Sequence, residues 1–416
     1  MKIRYVDFYK VVLYILVFFN LGFSDFLKEY IMQIQLVTII VAVILLCIYL
    51  IQPKKSHIDD KLIFVYISML FLLVFIEIIR INNNVYSSIS TVGAINLIRN
   101  YAFVLLFFPI YEILNSDIET KNGFIKVIVT LGLCALLFRS VGWFAYNYLG
   151  YNLVPGYFGV MGYNWTRNGN VRLGGTFLDG FMFTYFCLKL LNNRKLKNKV
   201  IYTCCVSFMI LYSYFVYGSR SQLLCYICVF IILCVVSGKN VSTGVLNLVL
   251  ILGGLVIILY TTSTIQNFLA SFSINDKMYG AGTQIRVAGQ KLYQQMWIEN
   301  SKLLGFGITK DGNYIGLTKY YLSDLGILRN LYQYGIVGFI ICIIPFIDGV
   351  ITAVSGVVKN TKDSGFLLGL VMYTIMTSIA SQNVYDYSRI MILPFLLGFI
   401  GLVSRENKLR GEYHNG

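Results

Sequence analysis

Long apolar runs separated by short polar breaks fill almost the whole chain. A helix needs roughly 20 mostly apolar residues to cross the hydrocarbon core of a bilayer, and about twelve runs of that kind can be drawn. They fall near 8–23, 32–52, 62–79, 96–114, 123–147, 173–191, 200–217, 222–237, 244–262, 328–350, 365–382 and 389–404. No small-residue cleavage site follows the first run, so it reads as a retained helix and not as a signal peptide. The pattern predicts an all-α polytopic membrane protein, with residues 1–416 forming one integral membrane domain of about twelve transmembrane helices.

Two segments break the tight succession of runs. Residues 148–172 are rich in glycine and aromatic rings, among them Tyr163 and Trp165, with Arg167 and Arg172 close by. Tyr and Trp gather at any membrane interface. Beside basic groups the same rings can also stack on sugar faces, and both readings stay open. Residues 263–327 form the one long soluble stretch, and loops of that length are usually functional. Its middle, Thr283 to Glu299, predicts an interfacial amphipathic helix with Leu292, Met296 and Trp297 set against Arg286, Gln290 and Lys291. Leu303-Leu-Gly-Phe-Gly307 is expected to end it, as glycine does at helix termini. Asp324 and Arg329 lack the i,i+4 spacing, so no pair is assumed between them. The expectation is one large extracytoplasmic loop carrying short helices.

Composition agrees with this class: 57% of the 416 residues are hydrophobic, 13% are charged, and mean hydropathy is +0.70. A soluble domain is excluded. Charge then orients the chain. With the N-terminus inside, the inner loops hold Lys54, Lys55, Lys61, Lys121, Lys126, Lys195, Lys197, Lys199, Lys359 and Lys362, and the tail holds Arg405, Lys408 and Arg410. Short basic loops face the cytoplasm, so both termini are expected there.

Arginine departs from that rule. Nine of the thirteen arginines stand at or beyond the outer ends of the runs: Arg80, Arg99, Arg139, Arg167, Arg172, Arg220, Arg286, Arg329 and Arg389. A guanidinium is always charged and grips phosphate oxygens through two parallel hydrogen bonds. An arginine-rich outer face therefore points to an anionic, phosphorylated ligand presented from outside. Arg80, Arg99, Arg139 and Arg389 also have a plainer reading as headgroup anchors that snorkel at little cost. The net charge of +15 divides between topology and ligand, with anionic-lipid contact a secondary effect. No nucleic-acid partner is needed to account for it.

Cysteine and histidine add little. All nine cysteines fall inside apolar runs, so no extracellular disulfide framework is expected. Cys225-Tyr-Ile-Cys228 matches a redox spacing but lacks the exposed electropositive setting of a reactive thiol, and reads as packing. His57 and His414 sit in an inner loop and the tail, and no metal-ligand cluster is present in the sequence. Asn164-Trp-Thr166 is taken as a chance match to a glycosylation acceptor.

Three short stretches carry a resemblance. Gly218-Ser-Arg220-Ser opens one run, and Arg172-Leu-Gly-Gly-Thr-Phe opens another. Leu-Gly-Phe-Gly precedes Gly-Ile-Leu-Arg in the long outer loop. Together they resemble the O-antigen and capsule polymerase superfamily (Wzy), as does the architecture over most of the chain. The resemblance implies a bacterial plasma-membrane glycosyltransferase. Such an enzyme joins undecaprenyl-pyrophosphate-linked oligosaccharide repeat units at the outer face, without metal, nucleotide sugar or other cofactor. Its further partners would be membrane lipids and a chain-length regulator protein. Essential external arginines are a family feature, and they carry over by motif onto Arg172 and Arg220, and onto Arg286 by loop position. The related ligases use a histidine in the large outer loop. None stands outside here, which favours polymerase over ligase. The arginine-spaced-glycine pattern of some polymerase loops is also missing.

On that reading Arg172, Arg220 and Arg286 would stabilise charge growing on a leaving lipid pyrophosphate. An acceptor-sugar hydroxyl would attack the anomeric carbon, and a carboxylate would take its proton. Arginine cannot be that base. The outer carboxylates are Asp276, Glu299, Asp311, Asp324 and Asp386, each with a plainer reading as a solvated loop group. Asp179 lies within a run just below Arg172, where a carboxylate is costly and often functional or pairs with an arginine. Glu77 stands in the same way below Arg80. Asp179 and Asp324 are the catalytic candidates, and Arg167, Tyr163, Trp165, Arg329 and Arg389 the candidate substrate contacts. A flippase or transporter also fits twelve runs. Transporters, however, place ionisable residues near the midplane of repeated, broken helices, and no repeat between the halves is visible.

Overall fold

The computed structural model describes residues 5–22, 30–53, 55–81, 91–153, 166–167, 169–237, 280–309, 312–315, 318–380 and 382–415. Among these the chain is helical apart from two short antiparallel hairpins. Helix α1 spans Tyr5–Leu21, α2 Ile31–Ile51 and α3 Lys61–Arg80. α4 (Thr91–Ile98) continues through a 3-10 stretch, Arg99–Leu106, into α5 (Phe107–Leu114), and α6 spans Ile118–Leu149. α7 is Asp179–Asn192, α8 (Leu196–Leu211) runs on through a π turn at Tyr212–Val216, and α9 is Arg220–Val236. α10 covers Gly280–Ile298, α11 Leu328–Val358, α12 Ser364–Ala380 and α13 Leu393–Asn415. Hairpin β1–β2 pairs Thr166–Arg167 with Asn170–Val171, and β3–β4 pairs Gly312–Ile315 with Thr318–Tyr321.

Helices stand at eleven of the twelve apolar runs, and the run near 244–262 lies outside the described residues. Among the described residues six helices are long and apolar enough to cross a membrane: α2, α3, α6, α8 with its π turn, α11, and α13 with the 3-10 turn before it. Exposed apolar side chains such as Leu36, Ile40, Leu72 and Ile351 lie along these helices. Apolar surface on that scale marks a membrane protein. The run expected over 173–191 is helical only from Asp179. Glycine disfavours helix, and the carbonyls of Gly174 and Gly175 are taken by Arg139 and Tyr212 rather than by a helical ladder.

Side chains fix several helix ends. Asp60 accepts from the Leu62 N–H (3.0 Å) to start α3, and Asp117 accepts from the Thr120 N–H (2.9 Å) to start α6. Gly150, at φ 72°, closes α6 in a left-handed turn. Burial separates centre from rim: 83% of the α13 span is buried against 28% of α2. Ring contacts such as Phe181–Phe395 (5.6 Å) and Phe366–Phe399 (4.5 Å) tie α7 and α12 to α13. Small residues let the helices approach: a Cβ on Gly180 would collide with Tyr373, and one on Gly369 with Thr184.

The lysine-bearing loops gather at one end of the bundle. Lys121 pairs with Asp363 (2.5 Å), Lys408 with Asp59 (2.7 Å), and Arg405 donates to Asn115 (3.0 Å). At the other end a second, smaller core of Tyr293, Met296, Phe306, Leu322, Leu325 and Tyr332 holds α10 against the start of α11. The segment from Leu303 to Gly307 does not close α10, which stops at Ile298. It inserts instead into a break in α11 at Gly335 (φ 65°, ψ −168°), a conformation reserved for glycine. Phe306 and Gly307 N–H groups donate to the Tyr332 and Gln333 carbonyls (3.0 and 2.8 Å), and Ile336 and Val337 donate to Lys302 and Leu303 (3.0 and 3.1 Å).

Candidate functional site

The end of the bundle away from the lysine-bearing loops opens into a cavity of about 880 Å³, near the upper part of the ~300–1,000 Å³ range of ligand sites. Its walls come from the starts of α7, α9 and α10, the end of α12, the loop before α13, and the α1–α2 corner. Arg139, Arg172, Arg220, Arg286 and Arg389 line it, against Asp324 and Asp386, which leaves three positive charges in excess. Cations crowded at the mouth of an apolar bundle interact strongly with an incoming anion, because little water screens them.

The two arginine motifs meet directly. The Leu173 N–H donates to the Val216 carbonyl (3.0 Å), the Tyr212 hydroxyl donates to the Gly174 carbonyl (2.8 Å), and Arg172 reaches the Gly218 carbonyl at 3.5 Å. The π turn hands over to Gly218, at φ 60°, and the Ser219 hydroxyl accepts from the Gln222 N–H (3.4 Å) to start α9. Arg220 is therefore the first residue of α9, where unpaired N–H groups and the helix dipole add positive potential to the guanidinium. Arg286 stands exposed on the first half of α10, and Asp324 on the 3-10 turn Leu322–Leu325.

Below the cavity a polar network crosses three elements. Asp179, 1% exposed, accepts from the Thr176 N–H (2.9 Å) and hydroxyl (2.6 Å) through one oxygen, and from Gln222 (2.8 Å) through the other. It thereby closes the Gly174–Thr176 turn that follows Arg172. The same Gln222 nitrogen also lies 2.7 and 3.2 Å from the Tyr226 and Tyr373 hydroxyls, which share its second N–H. Burial alone would lower the Arg389 pKa, but Tyr217, Tyr373, Asp179 and Asp386 outweigh burial and hold it above its ordinary value. Asp386 is also bound by Arg329 (2.8 Å), whose Nε donates to Gln333 (2.9 Å). Charges thus alternate from Arg329 through Asp386 and Arg389 to Asp179.

The structure brings Arg172, Arg220, Arg286, Asp324 and Arg389 to one cavity, with Asp179 and Arg329 packed around it. Arg167 contributes backbone to β1, while Tyr163, Trp165, Asp276 and Asp311 lie outside the described residues. Glu299, in the turn just after α10, is exposed and accepts from Gln295 (3.0 Å).

Three arginines read as headgroup anchors have another role. Arg80 binds Glu77 (2.6 Å) and the carbonyls of Leu304 and Gly305 (2.6 and 2.9 Å). Arg99 binds Asn96 (2.8 Å) and the Met32 carbonyl (3.0 Å). Arg139 binds the Gly174, Gly175 and Leu21 carbonyls at 2.9, 2.7 and 2.8 Å. Each ties its own element to a separate turn or helix, a task that suits a forked donor and not a snorkelling contact. Sequence reasoning passed over the amides Gln222, Gln382, Gln35 and Asn20. Their signal was a polar residue inside an apolar run.

No protein-family model matches the chain, and no characterised protein matches it in sequence.

Proposed function

We propose that the chain is a membrane glycosyltransferase that joins oligosaccharide repeat units, carried on undecaprenyl pyrophosphate, into a surface polysaccharide such as O-antigen or capsule. The observation that carries this reading is the convergence of Arg172, Arg220 and Arg286 on one cavity with an excess of positive charge. A pyrophosphate diester is multiply anionic, and arginine matches its oxygens two at a time. The lysine-bearing end is placed in the cytoplasm with both termini, by the rule that short basic loops stay inside. The cavity then opens at the outer face of the bacterial plasma membrane. A chain-length regulator would act with it there.

In the reaction the acceptor hydroxyl oxygen bonds to the donor's anomeric carbon as that carbon's bond to the pyrophosphate oxygen breaks. The electron pair leaves with the lipid pyrophosphate, and the arginines stabilise the charge it gains. The hydroxyl proton passes to a carboxylate within reach of the cavity. Asp324 and Asp386 both line the cavity, and Asp324 is the carboxylate we assign to this step. Asp179 organises the arginine-bearing turn from below.

The test is the length distribution of lipid-linked saccharide in cells. A strain lacking the protein should carry single repeat units at its surface. Arg172→Ala and Arg220→Ala should leave that phenotype while the protein stays in the membrane. Polymer of normal length in both variants would end the reading, and intermediates trapped on the inner leaflet of the null strain would replace it with a flippase.

A further inference from the structure

Beside the Arg139 contact with Leu21, a stretch of the cavity wall has, among the described residues, amide and apolar side chains in place of ionisable ones. The end of α1 and the start of α2 contribute to it Asn20, Ile31 and Gln35, together with Phe103 from the 3-10 stretch. Two amides on this wall are fixed by backbone carbonyls. Asn20 Nδ2 donates to the Leu16 carbonyl (2.8 Å) and to Thr38 Oγ1 (2.9 Å), and Thr38 in turn donates to the Ile34 carbonyl (2.8 Å). Gln35 Nε2 donates to the Tyr387 carbonyl (3.3 Å). A carbonyl can only accept, so both amide nitrogens are turned to the protein and both amide oxygens remain for a ligand. Gln35 is only 5% exposed and contributes to the cavity lining. An amide in an apolar helix is costly unless it is used.

Two amide oxygens, with the second Gln35 N–H beside them, fit neutral hydroxyl or acetamido groups better than phosphate oxygens. We propose that this wall is a neutral-saccharide subsite: Asn20 and Gln35 accept hydrogen bonds from hydroxyl or acetamido N–H groups of the sugar joined to the pyrophosphate, while the arginines hold the anion. Phe103 supplies an apolar surface beside them. The subsite rests on the polymerase reading and adds to it a division of the cavity into an anion side and a sugar side.

Gln35→Leu and Asn20→Leu remove one acceptor each at similar volume. Two probes are titrated against the purified full-length protein in lipid nanodiscs: inorganic pyrophosphate, and the lipid-linked oligosaccharide extracted from cells lacking the protein. Each variant should bind the extracted lipid about 5-fold more weakly and keep its pyrophosphate affinity within about 2-fold. Parallel losses for both probes would mark a deformed cavity, and unchanged affinities an unused wall; either result overturns the subsite. A second measurement needs no variant. The wild-type protein should bind the extracted lipid at least about 5-fold more tightly than undecaprenyl pyrophosphate without sugar, and equal binding overturns the subsite alone. Failure of the wild-type protein to bind pyrophosphate in any form would sink the polymerase reading, and the subsite with it.

Discussion

Replacing Arg139 with lysine separates a structural arginine from a headgroup anchor. Its guanidinium meets three carbonyls, those of Gly174, Gly175 and Leu21, at 2.9, 2.7 and 2.8 Å. A lysine carries its donors on one nitrogen and keeps one of these contacts. Losing two charge-assisted bonds at about 1.5–3 kcal/mol each costs about 3–6 kcal/mol. Because Arg139 is only partly buried, the lower figure, about 3 kcal/mol, is expected. For 416 residues the unfolding entropy is about 0.9 kcal/mol/K, so the melting midpoint should fall by about 3 °C. Thermal unfolding in detergent, followed by tryptophan fluorescence, reads this directly. The turn held by Arg139 also carries Arg172, so pyrophosphate affinity should fall several-fold in titration calorimetry. A headgroup anchor would accept lysine without loss. A midpoint within about 1 °C of wild type, with unchanged pyrophosphate affinity, would refute the structural role.

Other substitutions test the remaining parts of the site. Arg220→Lys should impair polymer formation nearly as much as Arg220→Ala, because lysine loses the bidentate fork; full activity in the lysine variant would mean that any positive charge suffices. Asp179→Asn keeps an oxygen for Thr176 but removes a charge that offsets Arg389, so pyrophosphate should bind about 2- to 5-fold more tightly, and weaker binding would contradict the charge argument. Gly335→Ala forces a Cβ onto the Leu303 carbonyl and the Gly305 nitrogen at a φ of 65°; a loss of about 3 kcal/mol or more is expected, read as a lower melting midpoint, and a neutral result would show that the α11 break is not required.

The helical class and the place of a helix at eleven of the twelve apolar runs were legible in the sequence, six of the described helices being long and apolar enough to cross a membrane. Where the sequence misled, a tertiary partner had displaced the local pattern. Residues 173–178 look like the start of a span, yet Arg139 and Tyr212 capture the Gly174 and Gly175 carbonyls and delay the helix to Asp179. The glycines of Leu303–Gly307 look like a helix stop, yet they dock on a break in α11 far along the chain. Arg172 and Arg220 could be picked out by their glycine-flanked settings and Arg286 by its place in the long loop. Their meeting could not, since the Leu173–Val216 contact joins segments with no shared periodicity. Asn20 and Gln35 showed in the sequence only as polar residues inside apolar runs, a signal that marks a cost but not the partner or the cavity that explains it.

The segregation of arginine from lysine therefore has two causes acting on the same face. Arg80, Arg99 and Arg139 each donate to backbone carbonyls from a separate turn or helix, which a single ammonium cannot do as well. Arg329 and Arg389 are balanced by Asp386 and Asp179 and add little net field to the cavity. On the proposed reading the anion is held by Arg172, Arg220 and Arg286, which reach the cavity from three different parts of the chain. A scan of all eight positions to lysine should then split cleanly. The carbonyl-bound arginines should lose stability, and the cavity arginines should lose anion binding at an unchanged melting midpoint. The two balanced arginines should lose some of each. Uniform behaviour across the eight would mean that charge alone, and not the fork, placed arginine on this face.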